Sequence, residues 1–246
     1  MPNDAAALAD ALEEELAAFG TPERATQEKR YLKSSLRFHG TTVWQIERTV
    51  RAFTVAHPID GHDVLVDLVE ALWAVPVHER RMAAITLLER HRQVLGPDDL
   101  PLIERLIRES RTWAYVDNLA GNVAGPLCVG ASGTGEVLDR WAGDEDFWLR
   151  RSALLSQLRP IRDGAPLDRF LRYADAMLGE REFFIRKAIG WVLREAGKGR
   201  AADVVAWLAP RTDRISGVAI REAVKYLPRE DAARLMTAYR AKRPAV

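Results

Sequence analysis

The chain repeats itself at a spacing of about 35 residues, and this repeat limits the folds that it can adopt. At that spacing five segments fall into register: 77–83, 112–118, 147–153, 183–189 and 217–223. Apolar residues recur in them with the period of a helix, and strand-like alternation is nearly absent. Helical pairs that recur with a fixed period are typical of α-solenoids, in which neighbouring pairs cover one another's apolar faces. The sequence therefore predicts an all-α fold, an α-solenoid of HEAT-like repeats.

We expect a single domain over residues 1–246, with a helical N-terminal cap over about 1–56 and repeats over about 62–241. With 48% hydrophobic residues, the chain can bury one elongated core. The predicted repeat helices are 62–74 with 78–94, 98–109 with 112–124, 135–142 with 145–158, 167–178 with 181–195, 201–208 with 215–226, and a last helix over 230–241.

Local signals place three helices in the cap. The first begins at Asn3 or Asp4, and the second begins at Pro22, since proline is favoured at the first helical position. The third follows a capping box of Thr42 with Gln45. The glycine-rich run over 130–135 lacks the Lys-Ser/Thr pair of a phosphate-binding loop, and we interpret it as a connection between helices.

Composition excludes several kinds of site. The single cysteine, Cys128, rules out an intramolecular disulfide and a zinc cluster of several thiolates. The histidines and acids of segment 57–63 match no strong ligand spacing, so we expect a turn whose Asp or His begins the next helix. No signal peptide or uncharged bilayer-length stretch is seen. We expect a soluble, cytoplasmic monomer without a metal or a cofactor.

Basic residues recur in the register although the formal net charge is only +1. Four of the five segments carry them at one or both of two adjacent positions, as Arg80/Arg81, Arg150/Arg151, Arg186/Lys187, and Arg221 alone. The second helix of each pair should line the concave surface, so we expect a basic concave face that suits the phosphates of duplex DNA. Alternatively, these side chains pair with neighbouring acids such as Glu79, Asp146 and Glu182. On the register alone, DNA binding and protein scaffolding both remain open.

The segment Trp113–Asn118 departs from this pattern and points to a site. Asp117 occupies the register position that Met82, Ser152 and Ala188 occupy in the inner copies. A buried carboxylate is costly, which suggests that it has a function. By register, Trp113, Asp117, Arg151 and Trp191 project from equivalent faces of three successive helices. We expect a cleft with aromatic walls, with Asp117 on one wall and Arg151 at the base to hold a phosphate.

Such a cleft fits hydrolysis of an N-glycosidic bond, whose transition state resembles an oxocarbenium ion. Aromatic faces attract a cation by about 0.5–2 kcal/mol each. If the leaving base is an N3- or N7-alkylated purine, it is already cationic and departs neutral without a general acid. One carboxylate then suffices. No lysine is placed beside the cleft, so we expect a monofunctional glycosylase rather than a lyase.

The residues also resemble a known family. The run Phe183-Phe184-Ile185-Arg186-Lys187-Ala188-Ile189-Gly190-Trp191 resembles the signature of the AlkD-type DNA alkylation repair proteins, which are HEAT-like DNA glycosylases. The segments 147–158, 113–117 and 30–33 match the same family, so the likeness covers nearly the whole chain. One departure is Thr112, where the family often has a second tryptophan.

The resemblance implies roles for individual residues. Asp117 would be the catalytic carboxylate, Trp113 and Trp191 would contact the lesion and its sugar, and Arg151 would be the accompanying cation. Tyr31 would contact the DNA backbone. The remaining residues that we expect to bind DNA are basic: Lys33, Arg80, Arg81, Arg150, Arg186, Lys187, Arg194 and Arg221.

The family excises N3-alkyladenine and N7-alkylguanine from duplex DNA, and the resemblance implies base excision repair without base flipping. An alternative function is a non-catalytic HEAT-repeat protein that binds damaged or structured DNA. A scaffold for another protein is a third possibility.

Overall fold

The computed structural model describes residues 5–129 and 133–241, and within them the chain is all-helical. The one β-bridge in the described ranges joins Arg37 and Val77. The expected caps Asn3 and Asp4, and residues 130–132 of the glycine-rich run, lie outside the described residues. None of the described helices combines the length and the apolarity that a membrane span needs.

The helices follow the predicted order. They are α1 (Ala5–Ala17), α2 (Pro22–Leu32), α3 (Val43–Ala56), α4 (His62–Ala74), α5 (His78–Arg90), α6 (Leu100–Ser110), α7 (Trp113–Asn118), α8 (Gly125–Leu127), α9 (Thr134–Ala142), α10 (Phe147–Leu155), α11 (Leu158–Arg162), α12 (Asp168–Ala176), α13 (Phe183–Gly197), α14 (Ala201–Leu208), α15 (Gly217–Ala223) and α16 (Arg229–Ala241). The predicted capping box forms, since the side chains of Thr42 and Gln45 and their backbones bond reciprocally.

The repeats stack in one direction, which confirms the solenoid. Helix α5 packs against α7, α7 against α10, α10 against α13, and α13 against α15. We call these five helices the inner row. Three of them pair with the helix that precedes them along the chain: α5 with α4, α7 with α6, and α10 with α9. The inner row therefore presents successive repeats side by side, as the register predicts.

A glycine sets the tightest approach within the inner row. A Cβ at Gly190 would lie 2.7 Å from the carbonyl oxygen of Ala219, so no side chain fits between α13 and α15 there. The neighbouring Trp191 is half-buried and packs against the core. Close packing at Gly190 thus fixes α13 at the level of that tryptophan.

The helix that carries Asp117 differs from its predicted form. We expect one α-helix to residue 124, but the chain forms a π-helical segment over Leu119–Ala124 before α8. Pro126 has no N–H to donate and its ring crowds the preceding turn, which explains a widened turn. Gly125 lies so close to α10 that a Cβ would be 2.6 Å from the carbonyl oxygen of Ser156. Single π turns occur frequently beside functional sites.

A histidine at the start of α4 lies between two acids. His62 is the first residue of α4, as predicted, and its ring nitrogens lie 2.9 Å from Asp63 Oδ1 and 2.7 Å from Asp99 Oδ1. The described residues contain no group of three or more His, Cys, Asp or Glu placed to hold a metal ion. The contacts therefore link α4 to the turn before α6 as an ion pair.

We expect this pair to be measurable by titration. Hydrogen bonds to Asp63 and then Asp99 raise the pKa of His62 from 6.5 to about 9. Because the folded-state pKa is raised, the pair stabilises the fold fully below pH 6.5 and is lost as pH rises through about 9. The imidazole proton shift of His62 should titrate near 9 in NMR spectra, and near the ordinary value in Asp99→Asn with Asp63→Asn. An ordinary midpoint in the unmodified protein would refute the ion pair.

Candidate active site

An ion pair between neighbouring repeats forms the centre of the site. Arg151 Nε donates to Asp117 Oδ1 at 2.7 Å, and Arg151 Nη2 donates to Asp117 Oδ2 at 2.8 Å. A bidentate guanidinium pair of this kind fixes both the plane and the position of the carboxylate. The two side chains come from α7 and α10, as the register predicts. The structure thus brings Asp117 and Arg151 into direct contact.

Arg151 is more deeply buried than the carboxylate that it binds. The Arg151 side chain is 2% exposed, whereas that of Asp117 is 16% exposed. The third guanidinium nitrogen, Nη1, donates to the carbonyl oxygen of Phe184 on α13. The guanidinium also lies over the Phe184 ring, 5.7 Å from its centroid. With its three nitrogens occupied and its surface covered, Arg151 has no free edge for a phosphate, which corrects that part of its expected role.

Trp113 begins α7 one turn before Asp117, so the two side chains share a helix face. Thr112 accepts a hydrogen bond from the Ala114 amide and caps the helix. Thr112, the position at which this sequence departs from the family pattern, therefore has a structural role as the N-cap of α7. Tyr31 on α2 meets Trp113 edge to face, with ring centroids 6.0 Å apart and planes at 86°. Because Tyr31 is 71% exposed, this contact leaves most of its ring accessible to a ligand.

Trp191 lies on α13, seven residues after Phe184. Seven residues are about two helical turns, a rise of about 10.5 Å, so Trp191 lies well beyond the level at which Arg151 meets α13. It is half-buried. The tryptophan ring and the Arg151 contact thus share one face of α13 at different heights.

A buried polar network supports α7 from the other side. His78 Nδ1 and the hydroxyl of Tyr115 lie 2.7 Å apart, and the His78 ring stacks on Phe38 at 4.4 Å. Burial lowers the pKa of His78 to about 4, so the ring is neutral at pH 7. Burial also raises the pKa of Glu28, whose carboxylate lies 3.9 Å from His78. These contacts hold α2, α5 and α7 together.

The basic register positions divide into two kinds. Arg80, Arg150 and Arg186 share the first position, and each donates to backbone carbonyls just before its own helix. The acceptors are Ala71 and Leu72 for Arg80, Asp144 and Glu145 for Arg150, and Glu180 for Arg186. Arg80 thus joins α5 to α4, and Arg150 and Arg186 join α10 and α13 to the connections before them. This is a structural role that the register does not distinguish from DNA binding.

Arg80 is the clearest correction. It is 2% exposed, and its Nη1 lies 2.8 Å from both Asp10 and Glu13 of α1. Its expected contact to DNA is therefore wrong for this structure, because no face of the guanidinium is open to a phosphate. Arg150 is similarly occupied, since its Nε donates to Glu180 at 2.8 Å.

The acids that pair with these cations are not those that the sequence suggests. Glu79 accepts from the backbone amides of residues 39–41, and Asp146 and Glu182 cap α10 and α13. Arg194 pairs instead with Glu222 of the next repeat and with Glu195. Ion pairing, which we considered as an alternative to DNA binding, thus occurs at Arg80, Arg150 and Arg194 through other partners.

At the second basic position Arg151 is buried, whereas the other three residues lie closer to solvent. Arg81 is half-buried, donates to the Glu109 carbonyl and lies over the Trp73 ring at 4.8 Å. Lys187 and Arg221 are exposed, and neither is paired with an acid among the described residues. Lys33 is also exposed, at the left-handed C-cap of α2 directly after Leu32. Lys33, Lys187 and Arg221 are therefore the expected DNA contacts that the structure leaves open.

This division predicts opposite outcomes for two single substitutions. Arg80→Ala removes the buried guanidinium that links α4 to Glu13 of α1, although Glu13 keeps Arg37 and His39 as partners. We therefore expect the free energy of unfolding to fall by about 1–3 kcal/mol while DNA affinity is unchanged. Lys187→Ala should leave stability unchanged and lower the slope of log affinity against log salt by about 1. Chemical denaturation and fluorescence anisotropy at several salt concentrations measure both. Weaker DNA binding by a fully folded Arg80→Ala would refute the division.

One contact in the site could not be predicted from any pattern of side chains. The Phe184 carbonyl that binds Arg151 belongs to the main chain, and every residue except proline presents the same donor and acceptor. The signal that could have found it is the register itself, since Phe184 is the residue of α13 that corresponds to Trp113 and Trp148. The Phe184 carbonyl lies in the first turn of α13, and a carbonyl oxygen has a second lone pair that can accept from Arg151 in addition to the helical hydrogen bond.

Comparisons with known proteins agree with this architecture. A family model described as "DNA alkylation repair enzyme" matches residues 12–227. Among solved structures, a chain described as "Predicted DNA alkylation repair enzyme" from Enterococcus faecalis has a TM-score of 0.77 and 24% identity, over 85% of this chain and 97% of that chain. At this identity the structural likeness shows a shared fold. A search of curated protein sequences finds no match.

Proposed function

Because the chain belongs to the family of DNA alkylation repair enzymes, we propose that it is a DNA glycosylase for cationic alkylated purines in duplex DNA. Its substrates are N3-alkyladenine and N7-alkylguanine, and its reaction is the hydrolytic first step of base excision repair. The observation that carries this proposal is the Asp117 carboxylate, which is partly exposed and held from behind by Arg151.

The reaction needs little from the protein beyond one carboxylate. The C1′–N bond breaks with its electron pair going to the base, which was cationic and departs neutral. Water adds to C1′ and releases one proton. Positive charge that develops on the sugar is stabilised by a nearby negative charge. Two of the roughly four acceptor sites of the Asp117 carboxylate are used by Arg151, so the others remain for the sugar and for the attacking water.

Arg151 acts through Asp117 as a positioning residue. A freely rotating aspartate would lose its orientation at the moment when charge develops, whereas a preorganised one costs no reorganisation. Arg151 also connects α7 to α13 through the Phe184 carbonyl. The carboxylate is thereby fixed relative to the helix that carries Trp191.

The aromatic side chains supply the walls of the site. Trp113 and Trp191 lie on α7 and α13, the two helices that pack against α10, and aromatic rings attract cations through their faces. Tyr31 braces Trp113 from α2. Because these residues form an open face of helices, we propose that the lesion stays in the duplex and is not flipped into a pocket.

The test is direct detection of free bases. Duplex DNA that contains N7-methylguanine or N3-methyladenine is incubated with the protein, and the released bases are quantified by liquid chromatography and mass spectrometry. We expect both bases to be released, and none from unmodified duplex. Binding of the methylated duplex without any free base would refute the glycosylase and support a non-catalytic DNA-binding protein.

A further inference from the structure

A cavity lies just beyond the C-terminal end of α10. It has a volume of about 360 Å³, and the lining includes Cys128, Gln157, Pro160, Pro166 and Arg169. None of these residues belongs to the proposed active site. The cavity lies where the end of α8 meets α11 and the start of α12.

Gln157 is the first sign that this cavity is built for a ligand. The residue is only 7% exposed, yet its side-chain amide forms no hydrogen bond within residues 5–129 and 133–241. The amide is not among the fully buried polar atoms that lack a partner, so it reaches the open space of the cavity. An amide that lines a cavity and lacks a protein partner is available to a ligand.

Arg169 is the second sign. It lines the same cavity and is paired with no acid among the described residues, whereas Arg172 on the same helix pairs with Asp139 at 2.9 Å. The guanidinium rests on the first turn of α9, where a Cβ at Gly135 would lie 2.5 Å from Nη2. Glycine at that position gives the guanidinium room to lie beside the cavity.

The remaining lining is largely apolar. Leu138, Pro160 and Pro166 form stiff walls, and Val129 at the rim is 62% exposed. Asp168 is the one acid among the lining residues and precedes Arg169 directly. One guanidinium, one amide and an adjacent carboxylate suit a ligand with a single negative charge and an apolar body.

From this arrangement we propose that the cavity is a binding site for a small organic monocarboxylate with an apolar body. Arg169 donates to the carboxylate of the ligand, and the Gln157 amide donates to the same group. The apolar body lies between the proline and leucine walls, against the thiol of Cys128. The carboxylate of Asp168 repels any second negative charge on the ligand.

Cys128 reports on this cavity alone because it is the only cysteine of the chain. Burial raises the pKa of its thiol to about 11. Only the thiolate reacts with alkylating agents, so the alkylation rate should rise about tenfold per pH unit from pH 8 to 10, where an ordinary thiol levels off above its pKa of about 8.5. The rate is measured with iodoacetamide and intact-mass spectrometry on the folded protein. A rate that levels off near pH 9 would show that the thiol is not buried in this way.

The proposal is tested by protection of Cys128 with 2-naphthoate, and with its uncharged analogue 2-naphthamide as a control. At ten times its dissociation constant, 2-naphthoate should slow alkylation about tenfold, while 2-naphthamide should have little effect. Arg169→Gln and Gln157→Leu should lose this protection, and Arg172→Gln should keep it. No protection in the unmodified protein, equal protection by 2-naphthamide, or full protection in Arg169→Gln would each overturn the proposal. Base release is measured in parallel, and we expect Arg169→Gln to retain it, so this site and the glycosylase are tested separately.

Discussion

Replacing Asp117 by asparagine should reduce single-turnover base release by at least about 100-fold. The amide removes the negative charge that stabilises the developing sugar cation and keeps nearly the same shape. DNA binding should be retained or slightly tighter, because one negative charge close to the phosphates disappears. The measurement is the rate of N7-methylguanine release at protein concentrations that saturate the duplex, with affinity determined separately by anisotropy.

Glu222→Gln is the matched control for this substitution. Glu222 occupies the same register position in its own repeat as Asp117 and also pairs with an arginine, Arg194. If the loss of an interhelical ion pair were enough to abolish activity, both variants would lose it. We expect Glu222→Gln to keep base release, and wild-type rates in Asp117→Asn would remove Asp117 from the catalytic role.

The second large effect is expected at Arg151. Arg151→Met leaves Asp117 largely buried without its partner, and breaking such a pair costs about 3–5 kcal/mol in the free energy of unfolding. Because Asp117 keeps some exposure, we expect a value near the lower end, together with loss of base release. The double variant Arg151→Met with Asp117→Leu removes both charges, so it should regain most of the stability and remain inactive.

Arg151→Lys separates positioning from folding. Lysine keeps the charge, but a single ammonium cannot donate to both carboxylate oxygens and to Phe184 in the same geometry. We expect the folded variant to release base more slowly at saturating protein, with unchanged affinity for DNA. An Arg151→Lys variant with the wild-type rate, or a double variant no more stable than Arg151→Met, would contradict the role of this ion pair.

Much of the fold could be predicted because a solenoid repeats its own signals. The five register segments correspond to α5, α7, α10, α13 and α15, and each of these helices packs on the next. The π-helical segment after Asn118 was not predicted, since it depends on Pro126 and on the approach of α10 to Gly125. The periodicity of the sequence does not reveal either of these two features.

The residues at the centre of the site could be predicted from the sequence, but most of the contacts that the basic residues make could not. Register placed Asp117 and Arg151 on neighbouring helices, and they meet there. It could not tell Arg80 from Lys187, because the partners of Arg80 lie 70 and 67 residues away on α1. Whether a cation faces solvent or an acid is decided by tertiary packing, which local patterns do not encode.

The most direct test of the central claim compares two duplexes that differ in one charge. One contains N7-methylguanine, which is cationic, and the other contains 7-methyl-7-deazaguanine, which has the same shape and no charge. If a single carboxylate suffices because the base leaves neutral, single-turnover reactions should release N7-methylguanine and leave the deaza base attached, although both duplexes bind. Release of both bases at similar rates, or of neither, would contradict the account.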